Sequence, residues 1–198
     1  MENLNIIEHQ WWSTPVWEVE TDYDEHFNQS LLKDIQNEKY YKHPNLMKDV
    51  YNCESEIVGE IKNRALDIVK ENTLSYAKDY SKLFHDRAWL NFVDPGSNLP
   101  LHVHGGTPIA ITYYVSVENG CGDLIICDPR GGVNWDIGSE IWEGNEITGI
   151  KHKRIKPKQS GFVFFPGFLF HMVDTNKSNK QRISLTSNIN AMRINNEK

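Results

Sequence analysis

The sequence predicts an α+β fold: N-terminal helices covering one face of an antiparallel core of jelly-roll type. Two observations carry this. Up to about residue 86 the longest apolar patterns recur at helical spacing, and beyond it they break into short β-rich runs separated by Gly, Pro and Asn. Helices first and strands afterwards mark an α+β chain, and seven or more short strands in about a hundred residues suit a sandwich or barrel. With 198 residues the chain is long enough to bury a core without disulfides. A single domain, 1–198, is expected, with 1–86 as mainly helical support and 87–190 as the jelly-roll core.

Taken in order, "TPVWEVE" near the start reads as a short extended segment. A helix is expected from Asn28 to about Tyr41, with Leu31, Leu32 and Ile35 on one side. Glu54–Tyr80 is the strongest helical stretch, because Val58, Ile61, Ala65 and Ile68 recur at helical spacing between polar residues. The expected strands are "AWLNFV", "PIAITYYVSV", "DLIICD", "EITGIKHKRI", "GFVFFP", "LFHMV" and "RISLTSNIN".

Composition narrows the function classes. A formal net charge of −6 argues against a nucleic-acid binder, which needs a basic face. Three cysteines, Cys53, Cys121 and Cys127, without a CxxC suggest reduced thiols rather than a disulfide framework or zinc site. No apolar run reaches transmembrane length, and "MENLNIIEHQWW" lacks the features of a signal peptide. A cytoplasmic protein without a membrane or nucleic-acid partner is therefore expected. Its oligomeric state is not legible.

Chemistry concentrates in "LHVHGGTPIAITYYV", residues 101–115, where His102 and His104 stand one residue apart. Alternation along the following strand separates Ile109, Ile111, Tyr113 and Val115 from a more polar face of Ala110, Thr112, Tyr114 and Ser116. Farther on, "GFVFFPGFLFHMV" supplies His171, and eleven residues later "RISLTSN" places Arg182, Ser184, Thr186 and Asn188 on one strand face. That face is either simply solvated or turned into a barrel, where Arg and Ser could grip a carboxylate.

His-x-His, a strand with Tyr114, a distal His171 and then Arg182-x-Ser184 form an order that resembles the iron(II)- and 2-oxoglutarate-dependent oxygenases, especially those of bacteria and marine phages. The resemblance covers roughly Ala88–Asn190 and includes "WLNFVDPGSNLPLHVH", "YYV", "DPR", "FFPGFLFH" and "RISLTSN". It implies a double-stranded β-helix (jelly roll, cupin-like) holding Fe(II), with 2-oxoglutarate as co-substrate and O2 as oxidant. By that resemblance His102, His104 and His171 hold iron, and Arg182, Ser184 and Tyr114 bind the co-substrate. A few hard or borderline ligands on one face leave positions open for co-substrate and O2.

The departure lies at the carboxylate: "HVH" stands where a facial triad has His-x-Asp. Three arrangements are open. All three histidines bind; or one of the pair binds and Asp123, Asp128 or a water completes the face; or His104 opens a His-Gly-Gly motif with Gly106 in the acid's place, as in halogenases of the same superfamily. The first is favoured, since it keeps sensible spacing to Tyr114.

Asn91 and Arg130 are candidate substrate contacts, with Trp89 assigned to the core. Asp128 and Arg130 in "CDPRGG" fit either a turn or the pocket rim. Loop 129–146, rich in Gly and Trp, is a candidate recognition element. His9, His26, His43, His85 and His152 have no partners at ligand spacing. The expected reaction is hydroxylation of a C–H bond of a peptidyl or amino-acid side chain or a small molecule, releasing succinate and CO2. The alternatives are a cupin-type metalloenzyme not using 2-oxoglutarate and a non-enzymatic jelly-roll binding module.

Overall fold

The structure is a computed structural model that describes residues 14–36, 47–73, 80–129 and 152–193. Strands β1 (Trp17–Val19) and β2 (Met47–Asp49) bracket helix α1 (Glu25–Gln36), and helix α2 (Glu56–Thr73) follows. The remaining strands are β3 (Tyr80–Val93), β4 (Leu99–His102), β5 (Ile109–Ser116), β6 (Leu124–Cys127), β7 (His152–Ile155), β8 (Phe162–Pro166), β9 (His171–Val173) and β10 (Arg182–Arg193). They form a six-stranded sheet, β1-β8-β5-β10-β3-β2, facing a four-stranded sheet, β4-β9-β6-β7. All described pairings are antiparallel. This is the double-stranded β-helix architecture, with two helices laid against the larger sheet.

Each helix starts at a side-chain cap. Asp24 Oδ1 accepts from the Phe27 N–H at 2.8 Å, so α1 begins at Glu25 rather than at Asn28. Ser55 Oγ accepts from the Val58 N–H at 3.3 Å and donates to Asp34 Oδ2 at 2.6 Å, capping α2 and tying it to α1. The expected continuation of α1 to Tyr41 lies outside the described residues. The helical pattern does not run on to Tyr80. There β3 begins, pairing with β10 along Tyr80–Val93. Long-range pairing overrides local composition in that stretch, a common outcome where packing decides.

Strand alternation sorts the larger sheet into two faces. Ala88, Leu90, Ile111, Tyr113, Val115, Phe162, Phe164, Ile183, Leu185 and Ile189 join Leu31, Ile35, Val58, Ile61, Ala65 and Ile68 in the core under the helices. A second, smaller core lies between the sheets, where Ala110, Tyr114, Leu124, Ile126, Val163, Phe165 and Leu169 pack. A β-bulge between Asn188 and Ile189 skips Asp86 in the pairing and resets the alternation of β3. Above the bulge Arg87, Trp89 and Asn91 face the inter-sheet cavity. Below it His85 turns under α2, with Nε2 at 2.8 Å from the Lys62 carbonyl and Nδ1 at 2.5 Å from Ser187 Oγ. His85 is thus a satisfied core histidine.

Ile61 is fully buried where α2 meets the sheet. Ile61→Ala is expected to lower unfolding free energy by about 2–5 kcal/mol, the cost of a large-to-small change in a packed core. Urea denaturation should show a lower midpoint at unchanged slope.

Candidate metal centre

His102 ends β4, His104 lies two residues on, and His171 opens β9. The pairing of β4 with β9 sets His102 directly opposite His171. The loop carrying His104 is fastened to the β8–β9 turn, because the His104 N–H donates to the Gly167 carbonyl at 2.8 Å and the Gly167 N–H to the Pro108 carbonyl at 3.0 Å. A Cβ on residue 167 would stand 2.2 Å from the Thr107 carbonyl oxygen, so the two loops can approach this closely only over a glycine.

The result is a cluster. One ring nitrogen from each of His102, His104 and His171 lies within 4.8 Å of the others. Every imidazole is also held from behind through Nδ1: His102 by the Pro100 carbonyl at 2.7 Å, His171 by the Leu169 carbonyl at 2.9 Å, and His104 by Asn188 Oδ1 at 2.5 Å. A main-chain carbonyl oxygen only accepts, so Nδ1 of His102 and of His171 carries a proton, which in the neutral ring leaves the lone pair on Nε2. Burial lowers the pKa of His104 and takes His171 down to about 4, with nearby His102 adding to both effects. Both rings are therefore neutral near pH 7, as metal ligation requires.

Three imidazoles converging on one point suit a divalent transition metal. Asp128 belongs neither to this cluster nor to the cavity wall. Asp123 stands 3.7 Å from Arg154, which also pairs with Asp174 at 2.7 Å. Among the described residues neither acid joins the histidine cluster. Gly106, with φ of 76°, turns the chain toward β5 while the His104 ring itself fills the position two residues after His102.

The cluster opens on a cavity of about 760 Å³ between the sheets. Arg182, only 2% exposed, lines it, and its Nη1 donates to Ser184 Oγ at 3.2 Å. Its Cζ lies 5.2 Å from the centre of the Tyr114 ring. Among the described residues no carboxylate pairs with this guanidinium, and both Arg182 Nε and the Tyr114 hydroxyl are buried without a hydrogen-bond partner. Burial pushes the Tyr114 hydroxyl up to about 12, so it remains an O–H donor. A buried cation and two orphaned donors in one cavity are costly unless an anion joins them. A ligand with a carboxylate at its far end fits that demand, and the three Nε2 atoms fit the metal.

Asn91 lines the cavity as expected, but its amide is engaged: Oδ1 accepts from Trp89 Nε1 at 3.1 Å, and Nδ2 donates to Thr186 Oγ1 at 2.9 Å. Trp89 belongs to the cavity wall rather than the core, and its ring stacks on His104 at 5.4 Å. Positions 89 and 91 share one strand face, so separating them in the sequence reading contradicted the two-residue period. Arg130 and loop 129–146 beyond Pro129 lie outside the described residues. Two contributors went unassigned in the sequence: Asn188, already on the Arg182 face by alternation, and Gly167.

His171 also shapes acid stability. Its pKa is about 4 folded against an ordinary 6.5. Above 6.5 neither state takes up the proton. Between 6.5 and 4 the unfolded chain binds it and the folded chain does not, so stability is lost as the pH is lowered through that window. Thermal unfolding of the metal-free protein should show this loss, and His171→Gln should lessen it.

Comparison with known proteins agrees with the geometry. A family described as "Putative 2OG-Fe(II) oxygenase" matches residues 87–188, just over half of the 198. No curated protein matches in sequence. Among solved structures, the chain is similar to a viral collagen prolyl hydroxylase from Paramecium Bursaria Chlorella virus-1 in complex with 2OG, at 14% identity over 89% of this chain and 96% of that one, with a TM-score of 0.60. A prolyl-4-hydroxylase from Pseudomonas putida aligns at 11% identity over 91% and 94%, with a TM-score of 0.62. The α-ketoglutarate-dependent epimerase SnoN from nogalamycin biosynthesis aligns at 11% identity over 89% and 78%, with a TM-score of 0.65. At these identities the solved structures speak to the fold alone. No described helix is long and apolar enough to cross a membrane. On the family match, the chain belongs to the 2OG-Fe(II) oxygenases, dioxygenases that use Fe(II), 2-oxoglutarate and O2.

Proposed function

We propose that this protein hydroxylates a C–H bond of a peptidyl or amino-acid side chain, with iron held by His102, His104 and His171 and 2-oxoglutarate held by Arg182, Ser184 and Tyr114. One observation supports this above the rest. An uncompensated buried arginine and a cluster of three imidazoles share one cavity. When bound, the iron and 2-oxoglutarate couple conversion of the keto acid to succinate and CO2 with oxidation of the substrate.

The chain's own groups bind and orient. The Arg182 guanidinium offers a planar cationic fork for the distal carboxylate, and the Ser184 and Tyr114 hydroxyls supply further hydrogen bonds. The walls around them are apolar: Leu124 and Phe165 line the same cavity and exclude water from the charged contact. Asn91 acts through Trp89 and Thr186, holding the wall beside His104, rather than through a free amide. The peptidyl or amino-acid substrate is favoured by the fold similarity to two prolyl hydroxylases. The similarity to SnoN, an epimerase, makes the reaction outcome the quantity to measure.

Succinate release should depend on both iron and 2-oxoglutarate, and its absence under anaerobic iron loading followed by O2 would reject the reading. Arg182→Ala should raise the 2-oxoglutarate KM by roughly 10- to 150-fold, the equivalent of the ~1.5–3 kcal/mol of a charge-assisted hydrogen bond. An unchanged KM would remove Arg182 from the co-substrate site. His104→Asp should retain iron binding, since a carboxylate is a competent ligand there, whereas His104→Ala should weaken it. Equal iron affinity in wild type and His104→Ala, by anaerobic titration, would take His104 out of the ligand set.

A further inference from the structure

The three imidazoles are not oriented in the same way. His102 and His171 donate to main-chain carbonyls two residues before them, contacts built into their own local backbone. His104 instead depends on a side chain 84 positions away, the amide of Asn188. Asn188 lies on β10, on the same face as Arg182 and Ser184, and is 8% exposed. Nothing in the local backbone fixes the His104 proton.

An amide can present either end to Nδ1. With Oδ1 toward the ring, Nδ1 is the donor and Nε2 keeps its lone pair for a metal. With Nδ2 toward the ring, Nδ1 becomes the acceptor and the proton moves to Nε2, inside the cluster. The second state would set an N–H against the other two lone pairs and bar His104 from ligation. The choice at Asn188 therefore decides whether the cluster offers three ligands or two.

We infer that Asn188 is the positioning residue for His104: its Oδ1 accepts the Nδ1–H bond and holds the ring in the tautomer and orientation that offer Nε2 to the metal. This rests on the reading of His104 as a ligand. Trp89 assists by stacking on the same ring at 5.4 Å, and is itself steadied by its bond to Asn91 Oδ1. The bulge after Asn188 acts on β3. It sets Arg87, the partner of residue 188, on the cavity side while His85, the partner of Ile189, turns to the helix side, and β10 itself alternates without interruption.

The inference separates two substitutions of nearly equal size. Asn188→Leu removes the acceptor, whereas Asn188→Asp keeps an acceptor and cannot turn a donor toward the ring. Co(II) titration of the purified protein, by calorimetry and visible absorption, should show affinity reduced about 10- to 100-fold in N188L, the usual cost of losing a ligand's outer partner. N188D should match or exceed wild type. Equal affinity of N188L and wild type, or N188D weakened as much as N188L, would overturn the inference.

A second readout needs no variant and no metal. Long-range ¹H–¹⁵N correlation of the metal-free wild type should show His104 protonated at Nδ1, and a proton on Nε2 would overturn the inference. His104→Ala keeps this failure distinct from failure of the proposed ligand set. If H104A binds Co(II) as wild type does, His104 is not a ligand and both readings fall. If H104A is weakened while N188L is not, only the role of Asn188 falls.

Discussion

Strand β10 runs down the middle of the larger sheet, hydrogen-bonded to β5 on one side and β3 on the other, and both the core and the site depend on that register. Because side chains alternate, one strand serves two environments at once. Ile183, Leu185 and Ile189 pack beneath the helices, while Arg182, Ser184, Thr186 and Asn188 face the cavity. A slip of one residue would put a guanidinium under α2 and isoleucines against the histidines. Burial of the helix-side face thus locks the position of every polar group on the other.

The cavity has a cost in the folded protein. Arg182 and the Tyr114 hydroxyl are buried with donors left over, a condition that destabilises a fold unless something else supplies the acceptor. The surrounding sheet carries this because its helix-side core is continuous and apolar. The metal end follows a different rule. Its three imidazoles have their outward nitrogens satisfied and their inward ones free, so the site is prepared without strain in the rings. Unpaired buried donors stand at one end of the cavity and backed imidazoles at the other.

Much of this was legible in the chain. The helical spacing of Val58, Ile61, Ala65 and Ile68 located α2, and alternation in "PIAITYYVSV" and "RISLTSN" placed Tyr114, Arg182 and Ser184 on cavity faces. The errors have physical reasons. Trp89, expected in the core, shares a strand face with Asn91 two residues on and lines the cavity. Strand β3 was started too late, since its first residues gain their strand character from β10, more than a hundred positions away.

The sequence by itself determined the residue types and the periods: which positions are apolar, which strand faces are polar, and which order of histidines and arginine the chain carries. Those follow from local chemistry and the two- and 3.6-residue repeats. Only the tertiary structure decided what each polar group meets. That His104 is backed by Asn188, that Gly167 lets two loops touch, and that His85 sits under α2 rather than beside the other histidines all depend on contacts between distant segments. Such contacts depend on pairing register and on one bulge, and neither has a local signature in the chain.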